Sequence, residues 1–167
     1  MHYHFADRIL EIDARGAGTI TTRKTFPRTE DYFDGTFRPR AEVPSSLLLE
    51  TMASAGALLL SIRSRYQAHA LLLRVNRAHF LGPVLAGDQV TAHSRVVATQ
   101  GNWSEGSGPD QTVGMAQTLG SIFVDQTQVA EADILFLCIP LAWTFGSRMK
   151  DIVTDILDFL GLADARP

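Results

Sequence analysis

Two runs near the start of the chain alternate between apolar and polar residues. In the second run Ile20, Thr22, Lys24 and Phe26 alternate with residues 19, 21, 23 and 25. Period-2 alternation of β-branched residues is typical of a β-strand. The shorter run, Arg8–Ile12, precedes it across a glycine-containing turn. We therefore predict an opening β-hairpin.

The next segment, Leu47–Ile62, is apolar or small on every side of a helical wheel. A helix without a polar face has to be covered on most sides, and a curved sheet is the simplest cover. The segment is too short and too rich in Ala, Ser and Gly to predict a membrane span. We predict a long buried helix that begins near Pro44, where Ser45 or Ser46 offers a hydroxyl cap.

Four further strands are predicted after the helix, at residues 70–81, 89–99, 113–124 and 129–139. The last two are separated by a turn at 125–128, which predicts a second hairpin. The polar stretch 100–112 is predicted as a loop. From Ser147 the apolar residues recur at helical spacing until Gly161, so the pattern indicates a final amphipathic helix.

This order predicts an α+β fold, with an antiparallel β-sheet wrapped around a long central helix and a C-terminal amphipathic helix. The length of 167 residues fits one domain. We assign residues 1–140 to that domain, and 141–167 to a helical extension packed on it.

Composition excludes several classes of function. The net charge of −3 comes without a dense basic run, so nucleic acid is not an expected partner. The single Cys138 lies in an apolar strand, where a buried, inert thiol in a reducing compartment is the favoured interpretation. No apolar signal region occurs near the start, so we expect a cytoplasmic protein. No metal-ligand spacing is present, and we expect no metal or cofactor.

Glu50 is the one carboxylate inside the apolar helix. A buried carboxylate needs a specific partner or a water-filled cleft, because its charge is costly to desolvate. Glu50 is either a catalytic acid or base, or a structural carboxylate bound to Arg38 or Arg40. The free N–H groups at the helix start could hold an anion or a carbonyl oxygen nearby.

Several stretches resemble the 3-hydroxyacyl-[acyl-carrier-protein] dehydratases of fatty-acid synthesis, the FabA/FabZ family. They are DRILEID, FDGTF, VPSSLLLETMASAG, RAHFLGPVLAGDQV and VAEADILF, in family order between about residues 5 and 139. Each motif alone is weakly specific, but a chance match of all of them in this order and at this spacing is improbable. The resemblance implies a hot-dog fold, and the tail helix lies outside it.

In that family a loop His works with a helix carboxylate fourteen residues later, and Glu50 occupies the carboxylate position. The His position holds Thr36. The resemblance thus places Glu50 and Thr36 at the catalytic positions. It places the substrate-binding positions at Phe37, Ser45, Ser46, Arg38 and Arg40.

A threonine hydroxyl cannot accept and release a proton near pH 7 as an imidazole does, so elimination should suffer more than binding. Among the remaining histidines His79 is the first candidate for a replacement base, because its strand should lie close to the helix. His69, His93, His2 and His4 are interpreted as strand or surface residues.

Three functions remain open. The first is a protein that binds acyl thioesters on acyl carrier protein or coenzyme A, as a homodimer or with a paralogue that carries the His. The second is an active dehydratase with a displaced base. The third is a hot-dog acyl thioesterase that uses Glu50, with Thr36 or Thr51 orienting water.

Overall fold

The computed structural model describes residues 5–30, 33, 41–101, 113–141, 143 and 154. Within those ranges every strand predicted above is present, and so is the central helix. In chain order the elements are β1 Arg8–Asp13, β2 Thr19–Thr25, α1 Ser45–Arg63, β3 Ala68–Phe80, β4 Gln89–Gly101, β5 Gly114–Val124 and β6 Thr127–Pro140.

The six strands form one antiparallel sheet in the order β1-β2-β4-β5-β6-β3. Both predicted hairpins are confirmed, β1 with β2 and β5 with β6. The second turn is shorter than predicted, because β5 ends at Val124 and β6 begins at Thr127. Asp125 supports this tight turn with a positive φ of 52°, which Asp tolerates better than most residues.

The inner face of the sheet packs against α1. On β2 the inner residues are Ile20, Thr22 and Lys24, all buried, as the alternation predicted. A buried ammonium group needs a partner. The Lys24 Nζ atom lies 3.1 Å from Oδ1 of Asp7. This ion pair links the segment before β1 to strand β2.

Two glycines allow α1 to approach the sheet closely. A Cβ atom added at Gly56 would lie 3.0 Å from Oγ1 of Thr118, and one added at Gly120 would lie 2.9 Å from Cβ of Met52. The residues of α1 buried by this approach include Leu48, Thr51, Met52, Ala53, Ala55, Gly56, Leu59 and Leu60. The helix is therefore the centre of the core, as predicted.

By length and composition alone, α1 is the one helix among the described residues that could cross a membrane. Core helices pass the same test, and α1 lies against β2, β3, β4, β5 and β6. Its apolar character is thus explained by the sheet around it. The predicted tail helix lies outside the described residues except for Thr154, and it stays a prediction.

Candidate functional site

The start of α1 is held in place by the turn between β3 and β4. The N–H of Val43 donates to the carbonyl of Val84, and the N–H of Ala86 donates to the carbonyl of Ala41, each at 2.8 Å. The N–H of Gly87 donates to the carbonyl of Phe26, and its φ of +100° favours glycine. The segment that leads into the helix is therefore hydrogen-bonded to this turn, and the turn is hydrogen-bonded to the residue that follows β2.

The N-cap residue of α1 is Pro44, and no side chain caps the helix. The predicted hydroxyl cap by Ser45 or Ser46 is wrong, because both serines lie inside the first turn. Both are exposed, and no acceptor for their N–H groups occurs in the described part of the chain. These groups carry the partial positive charge of a helix start, which favours an anion or a carbonyl oxygen.

Glu50 lies one turn further along α1, on the same side as Ser46, since residues four apart are neighbours on a helix. Its side chain is exposed in the single chain, and no residue of the described ranges forms a hydrogen bond or ion pair with it. Glu50 is therefore available to a ligand that reaches the helix start. The two alternatives for this carboxylate, a catalytic group or a partner of Arg38 or Arg40, both stay predictions, because the two arginines lie outside the described residues.

The side chain of Thr51, unlike that of Glu50, is not exposed to a ligand or to solvent. It is fully buried, and its hydroxyl donates to the carbonyl of Leu47 at 2.7 Å. The prediction that Thr51 could orient a water molecule is therefore wrong. The sequence did not distinguish the two neighbours, because Glu50 and Thr51 point to different sides of the same helix.

The three described histidines all lie on the outer face of the sheet, away from α1. His79 pairs across the strands with Glu131, and its Nδ1 lies 3.2 Å from Oε1 of that carboxylate. The strand of His79 does contact α1, but the inward residue is Ala78 rather than His79. His79 is thus not placed to act with Glu50 of the same chain.

His69 and His93 face outward as well. His69 lies opposite Ile139 on β6, and burial lowers its pKa from the ordinary value of 6.5. The Nδ1 of His93 is 3.0 Å from Oγ1 of Thr21. Neither imidazole is on the side of the sheet that carries Glu50, so both remain strand histidines as interpreted from the sequence.

Thr36, Phe37, Arg38 and Arg40 lie outside the described residues, so their part in the site stays a prediction. Among the described residues no group of His, Cys, Asp and Glu could hold a metal ion. Burial raises the pKa of the Cys138 thiol to about 12. The thiol is therefore protonated at neutral pH, as the inert interpretation requires.

Sequence reasoning missed the outward polar residues of the central strands. They include Ser121, which pairs with His93, and Glu131 and Asp133, which pair with His79 and Arg77. Their signal was a local alternation of polar with small residues, as in the run from Ala130 to Asp133. The strand order was needed to bring them together, and it could not be read from the sequence.

Comparison with known structures assigns the fold. The phenylacetic acid degradation protein PaaI of Thermus thermophilus aligns with a TM-score of 0.54 at 18% identity, over 78% of this chain and 90% of that one. The dehydratase heterocomplex ApeI:P of Xenorhabdus doucetiae aligns with a TM-score of 0.52 at 12% identity, over 77% and 96%. A sheet wrapped around one long helix is thus a hot-dog fold, as predicted.

Sequence comparison assigns the family. The family model described as the FabA-like domain matches residues 1–133. The FabZ 3-hydroxyacyl-[acyl-carrier-protein] dehydratase of Protochlamydia amoebophila is 32% identical over 126 residues, or 74% of this chain and 81% of the relative. The FabZ enzyme of Bartonella quintana is 32% identical over 135 residues, or 80% and 78%. The chain belongs to the FabA-like family.

Proposed function

We propose that this protein binds 3-hydroxyacyl and enoyl thioesters, on acyl carrier protein or coenzyme A, at the start of α1. The proposal rests on one observation: Glu50 is exposed and unpaired among the described residues, beside the free N–H groups of Ser45 and Ser46. A carbonyl oxygen can accept hydrogen bonds from such N–H groups. By resemblance, Phe37, Arg38 and Arg40 would border the same cleft.

Catalysis by this chain alone should be weak. Dehydration breaks the α-C–H bond and the β-C–O bond, so one group must accept a proton and another must protonate the departing hydroxide. By resemblance, Thr36 stands at the position of the family's loop His, and its hydroxyl cannot accept and release a proton near pH 7. The outward placement of His69, His79 and His93 supports the absence of a replacement within the described part of the chain.

A second subunit would complete the proposal. β3 is an edge strand, and it exposes Leu71, Leu72 and Leu73 at 39%, 44% and 51%. An apolar edge strand of this kind favours association. We propose a cytoplasmic homodimer, or a heterodimer with a paralogue that carries the His. In either assembly residues 1–140 form the hot-dog domain and 141–167 extend it.

The test is a gain of function, Thr36→His. Hydration of an enoyl thioester is followed through the loss of enoyl absorbance, for the wild type, Thr36→His, Glu50→Gln and the double variant. We expect a weak wild type and a rise of up to about 10²- to 10⁴-fold in Thr36→His, the usual range for a positioned acid-base group. The double variant should lose that gain, because the new imidazole would act with Glu50.

Other outcomes select the alternatives. A wild type as fast as ordinary dehydratases would contradict the proposal and indicate a displaced base other than His79, which lies on the outer face of the sheet. Hydrolysis of acyl thioesters that is lost in Glu50→Gln would instead indicate a thioesterase. Light scattering on the same samples tests the assembly, since a stable folded monomer at micromolar concentration would contradict the dimer.

A further inference from the structure

A row of polar side chains crosses the outer face of the sheet, and we call it the first row. Cross-strand pairing places in it Thr21 of β2, His93 of β4, Ser121 of β5, Glu131 of β6 and His79 of β3. Two contacts at its ends, Thr21 with His93 at 3.0 Å and His79 with Glu131 at 3.2 Å, fix the imidazoles. Ser121 lies between them at the centre of the row.

A second row runs beside the first, two residues along each strand. It consists of Thr19, Arg95, Leu119, Asp133 and Arg77, again by direct cross-strand pairing. The two arginines are three strands apart, which corresponds to about 14 Å between backbones at about 4.8 Å per strand. Long cationic side chains thus stand near both ends of a short polar floor.

The two rows border a trough with a volume of about 290 Å³. Its walls include Arg77, Arg95 and Glu131, while Ser121 and the backbone at Gly120 contribute small groups. No residue of α1 lines it, so it opens on the outer face rather than toward the core. A concave site with a few converging polar groups is the usual form of a small-molecule site.

The carboxylates beside the trough already have donors. Oε2 of Glu131 accepts a hydrogen bond from Gln128 at 3.0 Å, in addition to its contact with the imidazole. Oδ1 of Asp133 accepts hydrogen bonds from Gln117 at 2.7 Å and Asn76 at 3.0 Å. The amides are neutral, so both carboxylates keep their charge, but three of their four oxygens are already in contact with a donor.

The guanidinium groups differ from the carboxylates in this respect. Within the described ranges neither Arg77 nor Arg95 makes a hydrogen bond or an ion pair, and both are exposed. Each carries five N–H donors in a planar arrangement that fits the oxygens of a phosphate. The second ring nitrogen of His93 and the hydroxyl of Ser121 add further polar groups. The trough thus has an excess of donors over free acceptors.

We propose that the trough binds a small phosphate monoester, held between Arg77 and Arg95. A phosphate supplies three terminal oxygens, enough to accept from both guanidinium groups and from Ser121 at once. The volume suits a compact organic ligand rather than a protein segment. The site lies on the opposite face of the sheet from Glu50, so it does not depend on the proposed thioester function.

Titration calorimetry with phenyl phosphate as the probe tests this site at fixed ionic strength. We expect Arg77→Gln and Arg95→Gln each to weaken binding by about 10-fold or more, because each removes a charge-assisted contact. Arg74→Gln is the matched control. It removes the same charge from β3, but Arg74 donates to Asn76 and does not line the trough. Its affinity should stay within about twofold of the wild type.

Two results would overturn the proposal. One is an absence of measurable binding of phenyl phosphate to the folded wild type at millimolar concentration. The other is an equal loss in all three arginine variants, which would mean that overall charge rather than the trough attracts the probe. Unfolding midpoints equal to the wild type would exclude misfolding as the cause, as expected for exposed side chains.

Discussion

The inner and outer faces of the sheet are built from alternate residues of the same strands, yet they carry different chemistry. On β5 the inner residues Thr118, Gly120 and Ile122 are buried against the helix, whereas Leu119 and Ser121 are partly exposed between charged neighbours. The inner face meets the helix so closely that a Cβ atom at Gly120 of β5 or at Gly56 of α1 would require a neighbour to shift. The outer face instead has room for a trough.

The same division separates the acid-base groups. Glu50 belongs to the helix that the inner face surrounds, and all three described histidines project from the outer face. A β-sheet is one residue thick, but side chains on opposite faces cannot meet through it. Under the proposed function, a base that replaces the loop His therefore cannot come from β3 or β4 of the same chain without a change of strand register.

The largest difference in stability between inner-face and outer-face variants is expected at two adjacent residues of β5, Gly120 and Ser121. Gly120→Ala places a Cβ atom 2.9 Å from Cβ of Met52, an atom too close to the helix backbone to move aside. We expect a loss of about 1–3 kcal/mol in the free energy of unfolding, as for other overpacked cores. Urea denaturation provides the measurement.

Ser121→Ala is the matched control on the outer face. A partly exposed serine without packing constraints should change the free energy of unfolding by less than about 0.5 kcal/mol. Equal losses of unfolding free energy in the two variants would mean that the two faces do not differ in packing.

A smaller and opposite effect is expected on β2. The hydroxyl of Thr22 is fully buried and has no hydrogen-bond partner among the described residues. Thr22→Val removes this unpaired group at nearly constant shape, and we expect a gain of about 1 kcal/mol in urea denaturation. Thr21→Val on the outer face should give no gain, because it removes the contact with His93. A loss in Thr22→Val would reveal a partner for that hydroxyl.

Much of the fold could be predicted because the local patterns agree with the tertiary structure. The alternation of β2 and the apolar surface of α1 both reflect burial, and their element bounds differ from the predictions by a few residues. The cap was missed because three adjacent residues, Pro44, Ser45 and Ser46, could each begin the helix. The sequence also could not show that Glu50 is solvated, since burial depends on where the sheet ends.

The facing of His79 depends on irregularities in β3 that the sequence does not mark. β3 contains two register shifts opposite β6, between Leu72 and Arg74 and between Val75 and Arg77. The first shift reverses which residues point inward, and the second restores the alternation with which β3 begins. Only the pairing of Ala78 with Ala132 establishes that the imidazole of His79 points outward.

The smallest expected effect concerns the pH dependence of stability at His69. Burial lowers the pKa of this imidazole in the folded state below its ordinary value of 6.5. As the pH falls through 6.5, the imidazole of the unfolded chain takes up a proton before that of the folded chain. The free energy of unfolding is therefore highest above pH 6.5 and decreases as the pH falls to the pKa of the folded state. His69→Gln should remove this part of the loss. Urea midpoints of the wild type and of His69→Gln at pH 7.5 and 5.0 measure this loss, since the two proteins share all their other titrating groups. An identical decrease in the two proteins would show that His69 is as easily protonated in the fold as in the unfolded chain.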